Sequence, residues 1–177
     1  MKRKAFILSM LLVPLFLYSQ SVLGIKFGSN YNSVKQALED RYGKYSVHED
    51  NGNLRVYDLA VGDYKFDSGK FEFQRNGGNT YFYFAIFSEH YSLSNKKEAI
   101  RNRDFLFSLI SDKYEYTESF VNDDGFKCYK FGKNPLDNSR VLGLITLAKG
   151  VGNDGISRYY LELSYGPIYY ISKSSDF

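Results

Sequence analysis

Apolar and polar positions change period along the chain, and those changes predict its elements. Tyr31, Val34, Leu38 and Tyr42 recur at helical spacing, the narrow apolar stripe of a helix resting on a core. Asn30 offers an N-cap before this stripe and Gly43 a stop after it, so the pattern predicts a helix over 31–42. A broader stripe of Ala99, Ile100, Leu106, Phe107, Ile110 and Tyr114 predicts a second, more deeply buried helix over about 95–113. Asn95 and Glu98 have the spacing of a capping box at its start, and Phe105 and Leu109 fall off its apolar face.

Elsewhere the period is two. Runs at 54–59, 70–75, 80–88, 126–131, 141–148 and 157–165 read as strands, with a short stub at Gly24–Phe27. Asn76-Gly77-Gly78-Asn79 and Gly152-Asn153-Asp154-Gly155 are hairpin turns. Ile168–Ile171 is a candidate edge extension, and 172–177 a tail. Strict alternation in 80–88 puts Tyr81, Tyr83, Ala85 and Phe87 on one face, with Phe82, Phe84 and Ile86 on the other. A strand apolar on both faces belongs in the centre of a sheet, or else carries a contact surface.

The resulting order is helix, three strands, helix, three strands. It predicts an α+β fold of tandem αβββ units, 25–92 and 93–171, in which antiparallel sheet carries both helices on one face. Short matches between the halves fit a duplication. Asp40-Arg41-Tyr42 corresponds to Asp112-Lys113-Tyr114, and Leu54-Arg55-Val56-Tyr57 to Phe126-Lys127-Cys128-Tyr129.

Phe27-Gly28-Ser29, followed by Val34, Leu38 and Gly43, resembles the opening motif of BamE-like small envelope proteins. The duplicated helix-plus-sheet order resembles the beta-lactamase-inhibitor-protein (BLIP-like) architecture, and similar modules occur in PepSY-like exported proteins. The chain departs from these in lacking a lipid-anchor Cys and any paired Cys. The resemblance implies a noncatalytic, protein-binding module.

The first 24 residues change the charge picture. Lys2, Arg3 and Lys4 precede the apolar run Ala5–Tyr18, and small residues follow at Ser19, Ser21 and Gly24. This is the three-part pattern of a secretory signal peptide, and the run is short for a membrane span. Export to the periplasm or exterior is expected, with cleavage after Ser19, Ser21 or Gly24 and no transmembrane segment in the mature chain. The full chain has net charge +3, and removing its three leading cations leaves 20 basic against 20 acidic residues. A balanced chain has no excess charge with which to attract nucleic acid.

Candidate chemistry is sparse. Two His and one Cys are too few for a Cys/His zinc centre, and no metal or cofactor is expected. No nucleophile elbow, H-E-x-x-H or P-loop is present, so a noncatalytic protein is expected. A Cys128 dyad with His48 or His90 would be the hydrolase alternative, although Cys128 reads as a buried strand residue. Asp63, Asp67, Asp123 and Asp124 read as turn residues, and Lys96, Lys97 and Arg101 as a solvated helix face. Arg103 falls within the apolar stripe and should pair with a carboxylate or reach the rim. The remaining clue is 17 Tyr and 15 Phe. Tyr combines contact area with a polar tip, so Tyr81, Tyr83, Tyr160 and Tyr165 are the candidate binding residues, facing a protein partner. The alternative is a small apolar ligand or lipid held between sheet and helices.

Overall fold

A computed structural model describes residues 21–114 and 116–169. Most of the expected signal peptide (1–20) and the tail (172–177) lie outside the described residues. Strands β1 (Ser21–Val22) and β2 (Ile25–Lys26) form a hairpin. Helix α1 (Tyr31–Tyr42) follows, then β3 (Val47–Asp50), β4 (Asn53–Val61), β5 (Tyr64–Asn76) and β6 (Asn79–Ser92). Helix α2 (Lys96–Ser111) precedes β7 (Thr117–Val121), β8 (Lys127–Lys133), β9 (Val141–Val151) and β10 (Ser157–Tyr165).

β3 to β10 form one sheet in the order β3-β4-β5-β6-β10-β9-β8-β7, antiparallel throughout. Two four-stranded meanders thus meet at the β6–β10 seam, each preceded by its helix. The fold is α+β as the patterns predict, but each helix is followed by four strands rather than three. The strands absent from the prediction, β3 and β7, are the two sheet edges. Val47-His48-Glu49-Asp50 and Thr117-Glu118-Ser119-Phe120-Val121 have almost no apolar alternation, since an edge strand is only partly covered.

α1 forms where its signals place it. The Asn30 side chain accepts a hydrogen bond from Ser33 N at 2.9 Å, and Gly43 N–H closes the far end on Glu39 O at 2.8 Å. Val34 and Leu38 are fully buried over β3, β4 and β6. α2 lies on β6, β8, β9 and β10 and buries Ala99, Leu106 and Ile110. Its start differs from the capping-box expectation: Asn95 ends a 3-10 turn and uses its amide to reach Glu98 Oε2 at 3.1 Å, with no side-chain bond to the helix backbone.

One core fills the space between helices and sheet. Phe71, Phe82, Phe87, Phe131, Leu147 and Leu161 are among its fully buried side chains. Gly143 is required there, since a Cβ at that position would come within 2.2 Å of Ser164 O and 2.4 Å of the Phe131 ring. Arg103 pairs as anticipated. Its guanidinium donates to Asp104 Oδ1 at 2.7 and 2.9 Å and to Lys127 O at 2.9 Å, and the Tyr129 hydroxyl donates to the same Asp104 oxygen. A second polar seam lies under α2, where Tyr64 donates to Glu89 and Asn102 donates to the Tyr91 hydroxyl. Residues 166–169 do not form a further strand, and the rest of the expected edge extension, 170–171, lies outside the described residues; Ile168 is buried and donates its N–H to Tyr83 O at 2.9 Å.

Candidate functional site

The face of the sheet opposite the helices is built by cross-strand register. Lys70, Ile86, Ser164 and Leu144 form one row, and Ser68, Ser88, Glu162 and Thr146 the next. His90 stands opposite Tyr160, and Glu72 opposite Phe84. Ile86, Phe84 and Leu144 are half-buried here, whereas their sequence neighbours Phe87, Ala85 and Ile145 are fully buried under the helices. The central charges on this face have partners. Lys70 reaches Glu72 at 2.7 Å, and Ser88 donates to Glu162 at 3.4 Å.

Three of the four predicted tyrosines are on the accessible side of the molecule, but they do not converge. A bulge interrupts the β5–β6 pairing: Glu72 faces Phe84 and Phe73 faces Phe82, which leaves Tyr83 as the extra residue. Two residues then oppose one, so Tyr83 shares a side with Phe84, while Phe82 turns into the core and stacks on Phe27 at 4.8 Å. The expected strict alternation along 80–88 is therefore corrected. Tyr83 donates to Glu72 at 3.3 Å and lies against Tyr169. Tyr81, half-buried, pairs with Gln74 beyond the bulge. Tyr160 lies at the other end of the face, seven residues along β6 from Tyr83 and so about 23 Å away. Tyr165 is not on this face. It is 4% exposed, edge-on to Phe131 and Phe87, and its hydroxyl is kept neutral by burial. Its register partners, Ala85 and Gly143, are on the helix side, which removes it from the candidate contact residues.

Around Tyr160 the structure assembles residues that spacing alone did not bring together. The His90 ring stands at 81° to Tyr160 with centroids 5.0 Å apart. Asp67 Oδ2 takes both the His90 backbone N–H at 2.8 Å and its Nδ1 at 3.0 Å. Arg158 makes a two-pronged pair with Asp154, at 2.8 and 2.6 Å, and that bond holds the Asp154 carboxyl down at about 2. His48 lies 5.4 Å from Tyr57, itself 53% exposed, and Arg55 reaches Asp50 at 2.9 Å. Asn153, in the β9–β10 turn, borders both groups. A period-two reading of β6 carried past Ser88 would have placed His90 on the same face as Ile86. Its opposition to Tyr160 depends on sheet order, which the sequence does not display.

The hydrolase alternative does not assemble. Cys128 is on β8, three strand spacings from β6 and so about 14 Å from His90 at the least. It is fully buried, donates to Phe126 O at 3.6 Å, and burial pushes its thiol up. Asp124 ties the β7–β8 turn to β9 by accepting from Lys149 N at 2.8 Å. Among the described residues, no group of three His, Cys, Asp or Glu side chains is placed to hold a metal ion, and no helix is long and apolar enough to cross a membrane. No family model matches the chain, and neither a curated protein nor a solved structure matches it.

Proposed function

We propose that the chain is an exported, noncatalytic binding module that meets a protein partner through the sheet face opposite its helices. The observation that carries this reading is the contrast across single strands. Phe84, Ile86 and Leu144 remain half-buried on a face that neither α1 nor α2 covers, while Ala85, Phe87 and Ile145 on the other face are sealed. An apolar centre ringed by paired charges and aromatic side chains has the composition of an interface core with a polar rim. The BLIP-like resemblance read from the sequence points to the same kind of module. A leading segment with signal-peptide features supports export. The filled core between sheet and helices favours this face over an apolar-ligand groove, because Phe71, Phe82 and Leu38 occupy that space.

Affinity capture from envelope and secreted fractions tests the reading. The bait is the chain lacking residues 1–19, compared with its Tyr57→Ala, Phe84→Ala and Tyr160→Ala variants. Far-ultraviolet circular dichroism confirms that each variant is folded. A partner captured by the parent and lost by the variants is the expected result. Equal capture of that partner by all three variants would overturn the assignment of the face.

A further inference from the structure

The two pockets flanking Asn153 have a chemistry of their own. One, of about 480 Å³, is lined by His90, Asp154, Arg158 and Tyr160. The other, of about 420 Å³, is lined by His48, Asp50, Arg55 and Tyr57. Both volumes fall in the range of about 300–1,000 Å³ typical of small-molecule sites.

The charges argue against an ionic ligand. Arg158 is held by Asp154, Arg55 by Asp50, and Glu49 by Lys35. An incoming phosphate or carboxylate would have to break one of these pairs to gain a cation. A lipid tail is disfavoured for the opposite reason, since it would strip water from Asn153, Arg158 and Asp154 without replacing it. What remains suits a neutral molecule rich in hydroxyls.

The aromatic geometry narrows this further. The Tyr160 ring lies over Gly150, where a Cβ would meet ring carbons at 3.0 and 3.3 Å. Gly152 is equally constrained: a Cβ there would meet Arg158 Nη1 at 2.7 Å and the Tyr160 hydroxyl at 3.1 Å. Two glycines thus let the Tyr160 ring lie close along β9, with the His90 ring perpendicular beside it and both rings lining the pocket. Because the His90 Nδ1 is committed to Asp67, Nε2 is the ring nitrogen left for a ligand. A flat apolar ring face bordered by an amide, an imidazole nitrogen and ion-paired carboxylate oxygens matches a pyranose. Such a sugar has one face of C–H groups and a rim of hydroxyls that both donate and accept.

We propose that these pockets form a binding site for a neutral oligosaccharide, with one sugar ring on Tyr160, another on Tyr57, and Asn153 between them. This goes beyond the protein-binding reading and does not rest on it. A free oligosaccharide and a glycan carried by a partner share the chemistry.

The test uses the chain lacking residues 1–19 on an array of neutral and acidic glycans. Titration calorimetry then follows with the free form of the best neutral binder. Binding of neutral glycans is expected, with affinity falling about tenfold or more in Tyr160→Ala. Gly150→Ala should weaken binding too, because it keeps every polar group of the site yet lifts the ring. Phe105→Ala, on the helix side, should leave binding unchanged. Calorimetric binding of the free sugar assigns the sugar itself as ligand, whereas retention only of the glycoprotein-borne form assigns a glycosylated partner. Failure to bind any neutral glycan, preference for acidic ones, or undiminished affinity in Tyr160→Ala would each overturn the proposal. Phe84 lines neither pocket, so Phe84→Ala should keep glycan binding while losing protein capture, and failure of one reading is told apart from failure of the other.

Discussion

The two faces of the one sheet use the same strands and nearly the same aromatic supply to opposite ends. On the helix side, Phe87 is fully buried among Phe66, Phe71 and Tyr165. On the other side, Ile86 is half-buried beside Lys70 and Ser164. The first face removes apolar area from water, which stabilises by about 1.5–3 kcal/mol for each large side chain. The second leaves part of that area wet and borders it with the Lys70–Glu72 pair and the Ser88–Glu162 hydrogen bond. Aromatic content therefore says little about function until it is divided between faces: Tyr165 serves the fold, and Tyr57 and Tyr160 are available for contact.

That division can be broken from the helix side with the largest effect. Phe87→Ala is expected to destabilise by about 3–5 kcal/mol, whereas Ile86→Ala, one residue away, should cost only about 1 kcal/mol. Urea denaturation of the pair measures both, and similar losses would mean that the open face is packed after all. Arg103→Ala comes next, at about 2 kcal/mol, because it strips Asp104 and the Lys127 carbonyl of a charged donor. The same denaturation series checks it.

A pH series sharpens the contrast without mutation. Burial holds Tyr64, Tyr91 and Tyr165 neutral in the fold, with pKa values raised above that of a free tyrosine, and hydrogen bonds to Glu89 add to the rise for the first two. Unfolding frees these phenols to ionise near the usual value of about 10. The stability they contribute is thus complete below about pH 10 and falls as pH rises toward their folded values. Melting temperatures that decline above pH 10 are expected, with phenolate absorbance appearing together with unfolding. The smallest effect is reserved for the open face: Tyr160→Ala should change stability by under about 1 kcal/mol.

The hairpin before α1 also bears on where a signal peptide could be cut. Val22 is 3% exposed and belongs to the same core as Ile25 and Phe27. Cleavage after Ser19 keeps this hairpin, and cleavage after Gly24 removes Val22 from the core. The intact mass of the mature chain is expected to begin before Val22.

Period and punctuation made much of the fold legible. α1 was readable to the residue because Asn30, the apolar stripe and Gly43 all agree on its limits. The strands with a buried face were readable because Leu54 and Val56, or Leu161 and Leu163, alternate with polar neighbours. β3 and β7 were not, since an edge strand such as Val47-His48-Glu49-Asp50 carries too little apolar signal to register. The bulge at Tyr83 was equally invisible, because no residue type demands it, and it reversed the faces of Tyr83 and Phe82. For the site, Tyr160 was legible as an outward tyrosine. Its companions His90, His48, Tyr57 and Asn153 were not, because they meet only when the two meanders join and the β9–β10 turn stands beside the face.

The chain is proposed to work through the face that α1 and α2 leave uncovered. A photo-crosslinking phenylalanine placed at Tyr57, and separately at Phe105 on the exposed side of α2, tests this directly in cells. Both positions are about equally accessible, at 53% and 50%. Covalent adducts are expected from position 57 and none from position 105. Adducts from 105 alone would contradict the proposal.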